Sequence, residues 1–146
     1  MSTKLVISGF MIAAIAIGCR KNEYNAPAAE PQAGKGGKAK LTVSAKRYEK
    51  QTDSCTVYLK YNTLTAPKDG KYDDTANVKN VNGRFQVTFD SLKQGKYFIF
   101  CKGRDLSQIA PNDSLWGSGS LQIVDTFQRD YDVKINMVNW YDFYNL

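Results

Sequence analysis

The chain contains no histidine. That removes the commonest general base and the commonest neutral metal ligand. Ser-His-Asp and Cys-His catalysis and most zinc sites go with it. No apolar run reaches the roughly 20 residues that a membrane-spanning helix needs. Gly34-Lys35-Gly36-Gly37-Lys38 has neither a preceding strand pattern nor Walker spacing, so it is no phosphate loop. Beyond residue 18 no window places apolar residues at helical spacing, which argues against helical folds. The formal charge of +6 is misleading: six of the twenty Lys/Arg precede residue 41, and 41–146 holds 14 Lys/Arg against 12 Asp/Glu. No basic cluster alternates with stacking aromatics, so nucleic acid is not expected as a partner.

What is present begins at the N-terminus. Lys4 is the sole charge before Cys19, and Phe10 to Ile17 carries no polar side chain. A short basic segment followed by a short apolar one has the dimensions of a secretory signal peptide. Ala16-Ile17-Gly18-Cys19 resembles the lipobox of bacterial lipoproteins, with alanine where leucine is common. That resemblance implies a signal peptide over 1–18, cleavage before Cys19, and a covalent lipid on Cys19 as the membrane anchor. No other cofactor is expected. Arg20 stands where an aspartate would signal inner-membrane retention, which points by analogy to the outer membrane, on its periplasmic or its surface face.

Residues 19–40 then read as a tether. Pro27, Pro31, three glycines and many alanines leave almost no large apolar side chain to offset ordering entropy. The folded domain is expected over 41–146.

That domain reads as all-β. Leu41, Val43 and Ala45 alternate with polar residues, as do Cys55, Val57, Leu59 and Tyr61. The same holds for Phe85, Val87 and Phe89, for Leu121 and Ile123, and for Tyr131, Val133, Ile135 and Met137. Tyr97 to Cys101 is apolar on both faces and predicts a central strand; 72–78 predicts a weaker one. Asn82-Gly83 predicts a tight turn, since both residues tolerate positive φ. Six or seven short strands with regular turns imply an antiparallel sandwich.

One stretch carries a family likeness. In NVNGRFQVTFDSLKQGKYFIFCKGRD, residues 80–105, a glycine turn and an alternating strand lead into Leu-x-x-Gly-x-Tyr and a second apolar strand. With CTVYLKYN, residues 55–62, this resembles the transthyretin-like (prealbumin-like) domain of the carboxypeptidase regulatory-like type, often joined to a lipobox in small lipoproteins of the Bacteroidetes type. The resemblance implies a seven-stranded, Ig-like antiparallel sandwich that serves as a stability, docking or binding module and carries no catalytic residues. It also makes the strands holding Cys55 and Cys101 antiparallel neighbours, with both cysteines facing inward. These two then form either a disulfide, which an exported compartment permits, or a pair of buried thiols.

Candidate sites are few. Asp73-Asp74 and Asn112-Asp113-Ser114 offer oxygens but match no EF-hand loop, so no metal site is assigned. The segment Gly103 to Gly119 reads as a 17-residue loop displaying Trp116, a candidate binding aromatic. Trp140, Tyr141, Phe143 and Tyr144 crowd the C-terminus, and exposed they would make an interaction patch. The expectation is a non-catalytic binding or scaffolding module of the cell envelope, with an envelope protein as partner. Its rivals are capture of a glycan or host protein through those aromatics, and a small hydrolase built on two carboxylates.

Overall fold

The computed structural model describes residues 29–48, 50–52, 54–109, 113–124, 127 and 129–139. The signal segment, Cys19 and the four terminal aromatics lie outside them. Among the described residues there are nine strands and no helix: β1 (Lys35–Arg47), β2 (Lys50–Gln51), β3 (Cys55–Tyr61), β4 (Asp74–Asn77), β5 (Lys79–Val81), β6 (Arg84–Leu92), β7 (Gly95–Arg104), β8 (Ser114–Ile123) and β9 (Asp130–Asn136). They form two sheets. The first sets β9, β1, β6 and β5 side by side, with the two-residue β2 folded back on the end of β1. The second runs β4-β3-β7-β8.

The period-two alternation places the core. Leu41, Val43 and Ala45 of β1 face Val57 and Leu59 of β3 and Ile99 and Cys101 of β7 across the sandwich, all fully buried. Phe89, Leu115, Ile123 and Ile135 complete it. Fully burying an aliphatic side chain of this size contributes about 1.5–3 kcal/mol. Leu92 closes one end. Tyr97 lies ring-in beside it, and its hydroxyl donates to the Lys93 carbonyl (2.7 Å) and accepts from the Gly34 amide (3.1 Å).

Two of the passages between the sheets happen at a single buried side chain. β4 and β5 belong to different sheets and are separated only by Val78, whose amide bonds the Cys55 carbonyl. After β9, the Met137 amide bonds Lys46 of the first sheet, while Val138 pairs with Trp116 of the second. Such corners let one strand serve two sheets. Asn82 (φ 53°) and Gly83 (φ 80°) form the expected turn from β5 into β6.

Three expectations need correction. Nine strands stand among the described residues where six or seven were expected, and they are not all antiparallel. β9 pairs parallel with β1 over seven residues, Lys40 opposite Asp130 through Lys46 opposite Asn136. The tether does not extend to Lys40. β1 starts at Lys35, Ala39 is buried, and the Gly34 carbonyl accepts from the Lys93 amide. The physical reason is close approach. A Cβ on Gly37 would stand 2.0 Å from the Leu92 carbonyl oxygen, so small residues are needed where β1 presses on β6. Nor do residues 103–119 form one loop. β7 continues to Arg104 and β8 begins at Ser114, leaving 105–113 as the connection.

Candidate functional site

The second sheet presents an unusual outer face. Residues alternate in β3, so Thr56, Tyr58 and Lys60 point away from the core. Register then sets the rows. Thr56, Lys102 and Trp116 lie abreast, then Tyr58, Phe100 and Ser118, then Lys60, Phe98 and Ser120. The chain between β3 and β4 returns over this face and delivers Tyr72. Its ring stacks on Phe100 (centroids 5.9 Å, planes 14° apart) and tilts against Tyr58 at 5.3 Å. Tyr58 and Phe100 sit 6.1 Å apart. These geometries fall in the range where aromatic pairs attract beyond their area. Phe98 is buried, whereas Tyr58, Tyr72, Phe100 and Trp116 are half-buried. Burial pushes the Tyr72 phenol upward, with the neighbouring Tyr58 adding to the shift.

Trp116 is therefore a strand residue and not a loop residue. Gly117 and Gly119, which suggested a flexible loop, point inward and let β9 approach. A Cβ on Gly117 would lie 2.5 Å from the Asn136 carbonyl oxygen, and one on Gly119 would lie 2.7 Å from Ile135 Cδ1. Trp116 is fixed by its pairing with Lys102 on one side and Val138 on the other. Of the sequence-derived binding aromatics, Trp116 falls on this face; Trp140, Tyr141, Phe143 and Tyr144 are outside the described residues.

Beside the aromatic rows lies an open groove of about 590 Å³, lined by Thr56, Tyr58, Asn77, Lys102 and Arg104. None of its described lining residues is a carboxylate. Next to the groove residue Arg104, the residues that open and close the link from β7 to β8 are braced. Arg104 pairs with the buried Asp113 (Nε to Oδ2 2.6 Å), and Arg47 pairs with Asp105. The Asp105 amide donates to the Asp113 carbonyl, and Asp105 Oδ1 accepts from Ser107. Between these braced residues Leu106 and Ile109 are 73% and 86% exposed.

The acids singled out in the sequence have partners. Asp73 accepts from the Tyr61 amide (2.7 Å) and pairs with Lys60 (3.1 Å), and Asp74 pairs with Lys35 (2.8 Å). Among the described residues no cluster of three potential metal-ligating side chains occurs. Cys55 and Cys101 are buried free thiols on adjacent antiparallel strands. They are not directly opposite: Cys55 faces Gly103 and Cys101 faces Val57. Diagonal neighbours stand about 7–8 Å apart, past the usual Cα range of an unstrained disulfide. Each cysteine lies in the core-facing row of its strand, and the Cys55 thiol donates to the Thr56 carbonyl (3.6 Å).

Sequence reading missed Tyr58, Tyr72 and Phe100 as parts of one surface. The signal for two of them was present: Phe100 stands in a strand apolar on both faces, and Tyr58 is the aromatic among the outward residues of β3. Tyr72 carried no such signal, because only the path of the chain between β3 and β4 places it there. No protein-family model, curated protein or solved structure matches this chain.

Proposed function

We propose that the chain is a lipid-anchored lipoprotein of the bacterial cell envelope. It is held through Cys19, and its transthyretin-like sandwich docks a protein partner, without catalysis, through the outer face of the β4-β3-β7-β8 sheet. The observation that carries this reading is the aromatic surface of Tyr72, Tyr58, Phe100 and Trp116 on one face. Half-buried aromatics on a fixed sheet are favourable anchors, because little side-chain freedom remains to be lost on binding. The antiparallel β3–β7 pairing and the inward Tyr97 and Leu92 agree with the transthyretin-like resemblance. A hydrolase would need two acids in a cleft, and the groove beside the aromatics offers none among its described lining residues.

Capture of a glycan or host protein at the cell surface is the second reading, favoured by the same aromatics next to a groove with polar walls. One experiment addresses anchoring and separates the two. Cells making the protein are fed an alkyne-bearing palmitate and then treated with protease while intact. The account expects label on the wild type, none on Cys19→Ser, and a domain protected until the outer membrane is opened. Labelled protein whose domain is shaved from intact cells moves the partner outside. Absence of label from the wild type overturns lipid anchoring.

A further inference from the structure

The end of the sandwich where the chain enters brings together a fixed point of entry, a partly apolar groove and two exposed apolar side chains. Residues 30–34 are fastened there. Glu30 pairs with Lys96 (2.8 Å), the Ala33 amide donates to Asn62 Oδ1 (2.7 Å), and the Gly34 carbonyl accepts from the Lys93 amide (2.8 Å). Beside them lies an open groove of about 460 Å³, lined by the apolar Pro31, Ala39, Leu92 and Ile123 and by Lys38 and Lys93. None of its described lining residues is a carboxylate. The neighbouring cations are matched, Lys35 by Asp74 and Lys40 by Asp130, but among the described residues no ion pair takes up Lys38 or Lys93. The link from β8 to β9 is tied to the same end. The Gln94 side-chain amide, on the groove, donates to the Val124 carbonyl (3.1 Å), and the Lys40 amide donates to the Arg129 carbonyl. On this link Val124 is 69% and Phe127 90% exposed.

We propose that this end rests on a phospholipid bilayer, with Phe127 and Val124 set among the headgroups and Lys38 and Lys93 holding headgroup phosphates at the groove. The inference rests on the lipid-anchored reading and adds the orientation of the domain. The length of chain outside the described residues selects the occupant. Ten residues lead from Cys19 to Ala29, a span of about 35 Å at full stretch. An end held so near its anchor meets the bilayer before any other surface. The opposite end also exposes apolar side chains, Leu106 and Ile109. It stands about 30 Å farther along β7, however, and touches the bilayer only with those ten residues drawn nearly straight. The chemistry of the near end suits an interface. An exposed ring and a branched aliphatic side chain bury area at the acyl boundary, while lysines keep their ammonium groups at the level of the phosphates.

The test holds the chain on vesicles without using Cys19. The chain from residue 19 onward, with Cys19→Ser and an N-terminal histidine tag, is bound to vesicles of phosphatidylethanolamine and phosphatidylglycerol that contain a nickel-chelating lipid. A nitrobenzoxadiazole probe is attached through Val124→Cys or, separately, through Leu106→Cys; Cys55 and Cys101 are buried and stay unlabelled in the folded chain. Nitroxide-bearing lipids are expected to quench the probe at 124 and to spare the probe at 106. Phe127→Ser, at an exposed position, is expected to lower the ratio of bilayer-bound to free domain at least about fivefold. Lys38→Glu combined with Lys93→Glu is expected to lower it as well. An unquenched probe at 124, equal quenching at both positions, or quenching unchanged by Phe127→Ser would overturn the proposal. Because the nickel lipid replaces the native anchor, such a failure strikes this contact and not the lipidation of Cys19, which the palmitate label reads separately.

Discussion

Tyr97 shows how much one side chain does here. Its ring packs in the core edge-on to Tyr61 at 5.5 Å, while its hydroxyl joins the N-terminal strand to the turn before β7. Tyr97→Phe keeps the ring and strands the Lys93 carbonyl. The expected loss is about 1–2 kcal/mol in denaturant unfolding, with an unchanged m-value. The tyrosines also set a pH limit. Tyr61 is pushed up by burial and by the Asp74 carboxylate, Tyr97 by burial, and Tyr72 by burial. A phenol whose pKa is raised on folding releases its proton first in the unfolded chain. Stability is then fully present below the unfolded value and declines as pH rises above about 10. Unfolding midpoints measured from pH 8 to 11 are expected to be level and then fall, less steeply in Tyr61→Phe. A flat profile to pH 11 would contradict this assignment.

At the scale of elements, two glycine-rich stretches were read as loose and prove to be strands. Gly34 to Gly37 leads into β1, and Gly117 to Gly119 lies within β8. Gly37 and Gly117 serve close backbone approach, while Gly36 takes a positive φ of 96°, and only the packed neighbour reveals which role a glycine has. Gly117→Ala is expected to cost about 1–3 kcal/mol, because its methyl meets the Asn136 carbonyl. Ser118→Ala, on the exposed face one residue away, is expected to change stability by less than about 0.5 kcal/mol. Equal effects from the two would show that β9 does not press on β8. What the sequence did reveal was inward periodicity: each of the alternating sets starting at Leu41, Cys55, Phe85 and Tyr131 faces the core. What it hid was parallel pairing of the first long strand with the last, since periodicity specifies a face and not a neighbour. The aromatic surface was half legible. Trp116 was singled out, but its membership of a shared face depends on register with Lys102, and register is a tertiary property.

At the scale of the whole molecule, the sandwich has two unlike ends. The N-terminal segment enters beside Leu92 and Tyr97, at the start of β7. The braced residues Asp105 and Asp113 stand at the other end of that strand, about 30 Å away for ten residues. An anchor at Cys19 would hold the first end toward the membrane and leave the second, with the groove beside it, turned outward. Because β1 starts at Lys35, a chain beginning at Leu41 is expected to unfold at lower denaturant than one beginning at Ala29. It loses the contacts of Gly37 and Ala39 with Leu92 and the Gly34 bonds to Tyr97 and Lys93. The docking claim is tested most directly by photo-crosslinking in living cells. A photoreactive residue is placed at Ser118, on the outer face of β8, and separately at Thr88, exposed on the opposite sheet. The account predicts a discrete protein adduct from Ser118, lost when Tyr58 and Phe100 are both replaced by serine in a chain that still folds, and none from Thr88. Adducts from Thr88 alone, or from neither position, would contradict it.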